Sequence, residues 1–303
     1  MPTNKVLAGV RIWTGVQTTV YRAALASLAP RRRDGVISVS YIINLAASTA
    51  RWEALQPTID AMGLSNPVRF DAIDGAALGA ADISKLQAEG LLAEDMSKFA
   101  PGCTPGEIGC VLSHAGVLAD IVRKQVPAAL VLEDDILLSG SASTWQRRFR
   151  RAYADLPPTW ELWYLYRCLD VEHRVRRLTR RTVMPWTPQG GAAYAVTLEG
   201  ARKLLMALTP ASTAVDRVYQ EVVRSRRIEA FAASPLLVLA GLQPSVINRN
   251  NPSREWIENG INRPPEYWPR PYLDHLGEVA PPESFWQRMG RKLWRRRNPR
   301  ASA

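Results

Sequence analysis

Three consecutive carboxylates form the strongest chemical signal in this sequence. Glu133, Asp134 and Asp135 directly follow an all-apolar run at 128–132. Adjacent like charges repel, and burial disfavours each ionised form, so such a triplet is costly beside a buried strand. In open α/β sheets, ligands bind at the carboxyl ends of strands. The pattern therefore favours a ligand site, and the alternative interpretation is a solvated turn after the strand.

The order of the three carboxylates predicts a metal site. Side chains alternate along a strand, so Glu133 and Asp135 should point one way and Asp134 the other. Two carboxylates on one side suit a hard divalent cation with oxygen ligands, Mg²⁺ or Mn²⁺, which can hold a diphosphate. We therefore predict Glu133 and Asp135 as the metal ligands.

The clearest helix start in the chain lies before this triplet. Thr104 is a capping hydroxyl, Pro105 stands at the first helical position, and Glu107 completes a capping box. His114 follows seven residues after Glu107, almost two turns on, and so lies on the same face. His114 is either a phosphate donor or metal-shell residue of the site, or a buried hydrogen-bonding residue.

The rest of the chain alternates between strand and helix patterns, which predicts an α/β fold with a mostly parallel sheet flanked by helices. The predicted strands are 36–45, 68–73, 128–132, 161–166 and 190–196. The predicted helices are 48–62, a polar stretch around 82–98, 104–126, 142–154, 198–208 and 214–226, with a hairpin in 171–184.

Composition excludes several classes of protein. The 303 residues are 47% hydrophobic and 22% charged, which is incompatible with intrinsic disorder. No uncharged apolar run approaches the ~20 residues of a membrane-spanning helix, and the first residues do not form a secretory signal. The three cysteines do not form a disulfide framework or a zinc motif. We therefore expect a cytoplasmic protein.

The net charge of +11 is concentrated at the two ends. Residues 1–33 and 288–303 carry 13 of the 39 basic residues and no acidic one, which leaves 26 basic against 28 acidic residues between them. A nearly neutral body with basic ends suits an anionic surface better than nucleic acid. We predict a basic extension at 1–35 and a second extension at 251–303 that ends in a basic amphipathic tail.

The tail pattern predicts peripheral binding to an anionic membrane surface, on the cytoplasmic face of the inner membrane. In a helix, Phe285, Met289 and Leu293 would share one apolar side with Trp286, while the arginines point elsewhere. The alternative is a solvated basic tail.

Several of these pieces, in this order, resemble glycosyltransferase family 25, which includes lipopolysaccharide and collagen galactosyltransferases. The specific combination is the helix start at 104–114 followed by 130–135, with further matching pieces at 41–45, 51, 70–75, 191–194, 200–201 and 215–216. The resemblance covers about 36–250 and implies a catalytic domain over that range.

The resemblance implies a GT-A-type, Rossmann-like fold and an inverting hexosyltransferase of class EC 2.4. The donor would be a UDP-sugar, commonly UDP-galactose, the cation Mn²⁺ or Mg²⁺, and the acceptor a lipopolysaccharide-type or other cell-envelope glycan, free or lipid-linked. The acidic triplet at 133–135 would be the metal-and-ribose motif, and Asn44, Arg51 and Asp74 would lie near the uridine. Asp216 would be the general base; its alternative role is a carboxylate favoured by a helix N-terminus.

Two other functional classes remain open at this point. A metal-dependent phosphoryl-transfer enzyme or nuclease would use the same triplet, but would favour a second acidic cluster for a second metal. A basic nucleic-acid-binding protein would favour a basic body with interleaved aromatic residues. The charge balance of the body argues against the second class.

Overall fold

The computed structural model describes residues 37–96, 104–167 and 174–240. Its strands are β1 (Ile37–Asn44), β2 (Pro67–Asp71), β3 (Ala128–Glu133), β4 (Ile136–Leu138), β5 (Leu162–Tyr164), β6 (Arg176–Arg177), β7 (Thr182–Met184), β8 (Ala193–Thr197), β9 (Ala230–Ala233) and β10 (Val238–Ala240). Its helices are α1 (Thr49–Met62), α2 (Ala80–Ala88), α3 (Pro105–Arg123), α4 (Ala142–Ala154), α5 (Leu198–Leu208) and α6 (Val215–Arg224), with a 3₁₀ turn at Gly75–Ala77.

Eight of these strands form one mixed sheet in the order β2-β1-β3-β8-β5-β9-β7-β6. Strands β1, β2, β3, β5, β6 and β9 run in one direction, and β7 and β8 run in the other. The prediction of a mostly parallel sheet is therefore confirmed. Strands β4 and β10 pair separately as an antiparallel ribbon.

Helices cover both faces of the sheet. One hydrophobic cluster joins α3, α5 and α6 to one face, and a second joins α1 and α4 to the other. Neighbouring residues of β3 divide between them, with Val131 in the first cluster and Leu132 in the second. This alternation buries both faces of the strand, as expected for a central strand in a covered sheet. The predicted α/β, Rossmann-like architecture is confirmed.

Helix α3 begins as the sequence predicts. Glu107 N–H donates to Thr104 Oγ1 at 3.2 Å, and Thr104 N–H donates to Glu107 Oε2 at 2.9 Å. These two bonds form the capping box and confirm the structural role of Glu107. The sequence predicts one apolar stripe on this helix, but α3 buries residues on all its sides, from Ile108 to Val122.

A glycine pair fixes α3 against the end of β2. A Cβ on Gly75 would lie 1.6 Å from Pro105 O, and a Cβ on Gly109 would lie 2.4 Å from Ile73 O. Any side chain at either position would therefore force the two backbones apart. The contact explains why a glycine follows Asp74 and why another stands one turn into α3.

Four strand ends meet at one edge of the sheet. Asn44, the last residue of β1, pairs with Asp71, the last residue of β2. Glu133 ends β3 beside Ile43, and Ala193 begins the antiparallel strand β8 opposite Leu132. This edge collects the polar residues predicted to form the site.

The two predicted extensions, 1–35 and 251–303, lie outside the described residues, as does the amphipathic tail. The domain boundary at 250 therefore stays a prediction. Within the described ranges, no helix combines the length and apolar character needed to cross a membrane.

Candidate active site

Glu133 is held from the interior by a chain of aromatic side chains. His114 Nε2 lies 3.2 Å from Glu133 Oε1, and His114 Nδ1 lies 3.1 Å from the Tyr194 hydroxyl. The Tyr194 hydroxyl lies 2.9 Å from that of Tyr219. His114, Tyr194 and Tyr219 are all fully buried, and burial raises the pKa of both phenols above the ordinary range. Neutral hydroxyls therefore fix the imidazole, and the imidazole fixes Glu133.

Each member of this chain comes from a different element. His114 lies on α3, Tyr194 on β8 and Tyr219 on α6. The His114 and Tyr194 rings stack with centroids 5.9 Å apart, and Tyr219 packs edge-on against both. The packing of both helices on the sheet therefore sets the position of the imidazole.

Gly191 leaves a small space beside this chain. A Cβ on Gly191 would lie 3.4 Å from His114 Cε1, 3.4 Å from Val215 Cγ1 and 3.5 Å from Glu133 Oε1. A methyl group there would contact all three side chains without clashing. The space is thus lined by Glu133, His114 and the residue that precedes Asp216.

Asp134 turns the other way, toward β1 and α1. Asn44 Nδ2 donates to Asp134 Oδ2 at 2.6 Å, and Arg51 Nη2 lies 2.5 Å from Asp134 Oδ1. The same Arg51 nitrogen lies 3.6 Å from Asp135 Oδ2. One guanidinium is therefore shared by two carboxylates.

The predicted alternation through Asp135 ends two residues early, at Glu133. Strand β3 stops at Glu133, and Asp134 and Asp135 lie in the turn before β4. The prediction placed Asp134 opposite Asp135, but both contact Arg51 because side chains alternate only along an extended strand. Glu133 and Asp135 still interact through their charges, since Glu133 raises the pKa of Asp135.

The charges at this edge are incompletely balanced. Desolvation by burial, followed by the charge of Glu133, raises the pKa of Asp135 to about 7, although Arg51 acts in the opposite direction. Burial also raises the pKa of Asp134, against the opposing effects of Asn44 and Arg51. An added cation would relieve this excess of negative charge.

Asn44 is a positioning residue in this structure. Its amide donates to Asp134, and its Oδ1 accepts hydrogen bonds of 2.9 and 2.5 Å from Arg69 Nε and Nη2. Arg69 also lies over the Trp52 ring, 4.9 Å from its centroid. Because protein groups occupy both ends of the amide, Asn44 acts by orienting Asp134.

Asp74 and Asp216 lie at element starts. The exposed Asp74 caps the 3₁₀ turn, with its Oδ1 accepting from Ala76 N–H at 3.0 Å. Asp216 lies in the first turn of α6, and its Oδ1 accepts from Arg217 N–H at 2.8 Å. Asp216 follows Val215, whose Cγ1 borders the space at Gly191, whereas the capping contact of Asp74 is local to its own turn. The uridine and base roles of these residues stay predictions.

Sequence reasoning missed four residues around the triplet, namely Arg69, Cys110, Tyr194 and Tyr219. Tyr194 belongs to a piece that carries the family resemblance, but its hydroxyl contact depends on how the sheet pairs. Arg69 and Tyr219 stand in no recognisable motif. Cys110 belongs to the segment 104–114 that carries the family resemblance, and it lies one helical turn before His114, a spacing that was available as a signal.

Two sets of potential metal ligands share Glu133. The predicted set pairs Glu133 with Asp135 and offers oxygen atoms alone. In the described part of the chain, a second set is formed by one ligand atom each of Cys110, His114 and Glu133, all within 4.8 Å of one another. The position of Glu133 between the two sets makes it central to the site.

Comparison with known proteins defines the class to which this fold and site belong. The sequence profile described as "Glycosyltransferase family 25 (LPS biosynthesis protein)" matches residues 37–219, more than half of the chain. The chain therefore belongs to glycosyltransferase family 25. The matched range contains the whole acidic edge and its aromatic support.

Individual relatives include enzymes and an inactive protein. The chain is 27% identical to mouse procollagen galactosyltransferase 2 over 65% of this chain and 34% of the relative. It is 27% identical to Danio rerio procollagen galactosyltransferase 1, over 70% of this chain and 38% of that protein. It is 31% identical to the human "Inactive glycosyltransferase 25 family member 3" over 58% of this chain and 30% of the relative.

The chain thus spans about a third of the length of these relatives. Since the family contains members named as inactive, membership alone does not establish catalysis. The assignment of an activity has to come from the site.

Proposed function

We propose that this protein is a metal-dependent inverting hexosyltransferase. It would transfer a hexose, galactose, from a UDP-sugar to a lipopolysaccharide-type or other cell-envelope glycan acceptor. The observation that carries the proposal is the incompletely balanced acidic edge, where Glu133 is anchored to His114 while Asp134 and Asp135 share Arg51. The galactosyltransferase names of the relatives and the description of the family support the donor and acceptor classes.

The residues at this edge fit a hard divalent cation. Glu133 and Asp135 offer carboxylate oxygens, and burial, followed by the charge of Glu133, raises the pKa of Asp135, so a bound cation would favour its ionised form. When bound, Mn²⁺ or Mg²⁺ would supply the positive charge that stabilises a departing diphosphate. The fit depends on the two carboxylates.

The remaining residues divide the work of binding and proton transfer. Asn44 and Arg51 hold Asp134 in place, so that its carboxylate can accept hydrogen bonds from the donor ribose. Asp216, next to Val215 at the space lined by Glu133 and His114, would accept the proton of the acceptor hydroxyl. Because the protein already holds these carboxylates in place, the reaction would need little further ordering of side chains.

A donor screen tests this proposal directly. The full chain is incubated with a panel of UDP-hexoses, with Mn²⁺ or with excess chelator, and UDP release is followed by mass spectrometry. We expect release that depends on Mn²⁺ and is greatest with UDP-galactose. Turnover that is undiminished in chelator, or the absence of turnover with every UDP-hexose and acceptor tested, would contradict the proposal.

A thermal-shift experiment separates this function from its alternatives. UDP with Mn²⁺ should raise the unfolding temperature, whereas ATP or an oligonucleotide should not, because a ligand stabilises only the protein that binds it. In the described part of the chain, clustered candidate ligands gather around Glu133 alone, whereas a two-metal nuclease requires a second cluster. Stabilisation by ATP or oligonucleotide but not by UDP would favour the alternatives.

We also propose that the protein binds the cytoplasmic face of the inner membrane peripherally, through its basic ends. The proposal rests on the sequence of the tail, in which basic residues near an anionic leaflet contribute about 1 kcal/mol each. Liposome flotation should show binding that needs anionic lipid, weakens in high salt and drops when residues 284–303 are deleted. Equal binding to neutral vesicles would contradict it.

A further inference from the structure

We infer that Cys110, His114 and Glu133 form a second cation site of different chemistry, which binds Zn²⁺. The ligand atoms are Cys110 Sγ, His114 Nε2 and one carboxylate oxygen of Glu133, and a fourth position stays open. Because Glu133 belongs to both sites, Zn²⁺ binding withdraws it from the Mn²⁺ site and inhibits transfer. This last consequence rests on the proposed function, whereas the Zn²⁺ site itself does not.

The spacing of the three atoms matches one ion. Zn–N and Zn–O bonds of about 2.0–2.2 Å and Zn–S bonds of about 2.3 Å place tetrahedral ligand atoms about 3.3–3.8 Å apart. His114 Nε2 and Glu133 Oε1 are already 3.2 Å apart, and all three ligand atoms lie within 4.8 Å of one another. Small side-chain movements would bring the three atoms to the spacing of zinc ligands.

The backbone brings these ligands together on two firm elements. Cys110 and His114 are four residues apart on α3, so both side chains lie on the same face of one helix. Glu133 is the last residue of β3, and its N–H donates to Ala192 O at 2.8 Å. Two ligands on a capped helix and one at a strand end give a site that needs no loop to fold around the ion.

The buried tyrosines provide the outer support that a metal-bound histidine needs. A histidine ligand characteristically donates its second ring N–H to a neighbouring acceptor. Here Nδ1 lies 3.1 Å from the Tyr194 hydroxyl, which lies 2.9 Å from that of Tyr219. This chain can run in either direction, since each phenol hydroxyl both donates and accepts.

The two directions of hydrogen bonding along this chain correspond to the Zn²⁺ site without and with a bound ion. Without an ion, Nε2–H donates to Glu133 and Nδ1 accepts from Tyr194. With an ion on Nε2, Nδ1–H donates to Tyr194, which then donates to Tyr219. Both arrangements keep the contacts of His114 with Tyr194 and of Tyr194 with Tyr219, and only the direction of donation changes.

The donor set distinguishes this site from the carboxylate pair. Thiolate and imidazole favour Zn²⁺, whereas carboxylate oxygens alone suit Mg²⁺ and Mn²⁺. Three protein ligands with an open fourth position are the arrangement of exchangeable zinc. The space at Gly191, beside His114 and Glu133, accommodates that fourth ligand, a water or an anionic oxygen.

Cobalt absorption tests the site without any sugar chemistry. Co²⁺ is titrated into the full chain carrying Cys103→Ser and Cys168→Ser, so that Cys110 is its one thiol. We expect one equivalent of Co²⁺ to produce a thiolate-to-cobalt charge-transfer band, which Zn²⁺ abolishes by displacement. The matched variants add Cys110→Ser or Cys110→Ala, and both should lose the band while circular dichroism shows native secondary structure.

Two results would overturn the site. One is the absence of the band in the protein that retains Cys110, and the other is its persistence after Cys110 is replaced. The use of two small replacements guards against a folding defect in either one. Neither result depends on whether the protein transfers a sugar.

A second measurement tests the competition. In protein that turns over with Mn²⁺, added Zn²⁺ should lower the rate by about tenfold or more, and excess Mn²⁺ should raise the Kd for Zn²⁺ by reciprocal coupling. The ratio of rates with and without Zn²⁺ should approach one in the Cys110→Ser variant. Zn²⁺ binding without any effect on turnover would overturn the shared role of Glu133 and leave the proposed function intact.

Discussion

Adjacent carboxylates on the two sides of the triplet have opposite environments. Glu133 faces a buried chain that runs through His114 to the neutral phenols of Tyr194 and Tyr219, with contacts of 2.9–3.2 Å that connect three elements. In the described part of the chain, Asp134 and Asp135 form ion pairs with Arg51, which lies much closer to Asp134 than to Asp135. The neutral side, formed by His114, Tyr194 and Tyr219, fixes the position of Glu133. The charged side, formed by Arg51, Asp134 and Asp135, holds negative charge.

This difference assigns different roles to the two sides: the contacts of Glu133 fix its position, and the contacts of Asp134 and Asp135 determine how their charge is balanced. Two unit charges about 4 Å apart interact by about 4 kcal/mol at an effective dielectric constant near 20, so one guanidinium cannot fully offset two carboxylates and their desolvation. The raised pKa of Asp135 is the sign of that imbalance. Changes on the charged side should therefore affect cation binding and rate, and changes on the neutral side should affect stability.

The largest effect is expected at Asp135. Asp135→Asn removes one predicted metal ligand and should lower transfer by about 10³-fold or more, since a lost ligand costs several kcal/mol of transition-state stabilisation. The measurement is the rate of UDP-hexose turnover with Mn²⁺, alongside the thermal shift given by UDP–Mn²⁺. Asp60→Asn, which changes an exposed carboxylate of α1, is the matched control. Turnover in Asp135→Asn equal to that of the control would remove Asp135 from the site.

A smaller effect on rate is expected at Asp216. Asp216→Asn should lower the rate by about 10²-fold or more while UDP-sugar affinity stays unchanged, because a general base acts on the acceptor. Rates are compared with donor affinity from isothermal titration of UDP–Mn²⁺. If donor affinity falls with the rate, Asp216 serves the donor site or the start of α6 instead.

On the neutral side, the two tyrosines should differ in their effect on stability. Tyr194→Phe leaves both His114 Nδ1 and the Tyr219 hydroxyl without their shared partner, and should lower the free energy of unfolding by about 1–3 kcal/mol. Tyr219→Phe keeps the contact between His114 and Tyr194 and should cost about half as much. Urea denaturation of both variants gives the comparison. Equal losses would mean that the hydroxyl chain does not hold the imidazole.

A pH dependence of stability is also expected on the charged side. Folding raises the pKa of Asp135 to about 7 from its ordinary value of 3.8, so the folded protein keeps a proton that the unfolded chain releases. The free energy of unfolding should therefore fall as pH rises from about 4 to about 7. Asp135→Asn should abolish this contribution and be more stable than the parent protein by about 1 kcal/mol or more near pH 8.

The measurement is urea denaturation in chelator across that pH range, so that no cation alters the result. Asp60→Asn again serves as the control, since an exposed carboxylate should leave the pH dependence of the parent protein unchanged. A parallel pH dependence in Asp135→Asn and the parent protein would show that Asp135 does not carry the unbalanced charge.

The sequence correctly predicted those helices whose start, length and periodicity are encoded in their own residues. Helices α4 and α5 span the predicted ranges 142–154 and 198–208, and the capping box at Thr104 forms as predicted. Each of these predictions depends on helical periodicity or on a cap a few residues away. Such signals do not need the rest of the fold.

The features that the sequence did not predict depend on distant pairing. Strand β9 reads Ala-Phe-Ala-Ala, without a β-branched residue, and exists because it pairs with β5 and β7. Strands β4 and β10 define each other across about 100 residues, with Leu137 paired to Leu239. The turn that brings Asp134 and Asp135 to Arg51 begins where β3 ends, at Glu133. The partners of Glu133 likewise become visible only when α3, β8 and α6 are packed together.

The burial of α3 on all its sides has a consequence for exchange of backbone amide hydrogens with solvent. A helix that is covered all round opens only when the whole domain unfolds, so its amides should be among the slowest to exchange deuterium. Cys110 and His114 sit within that segment, whereas Asp134 and Asp135 lie in a turn that local fluctuations can open. Amide hydrogens around Cys110 and His114 should therefore exchange only through global unfolding. Those of Asp134 and Asp135 should exchange faster, at a rate that changes when a ligand binds beside them.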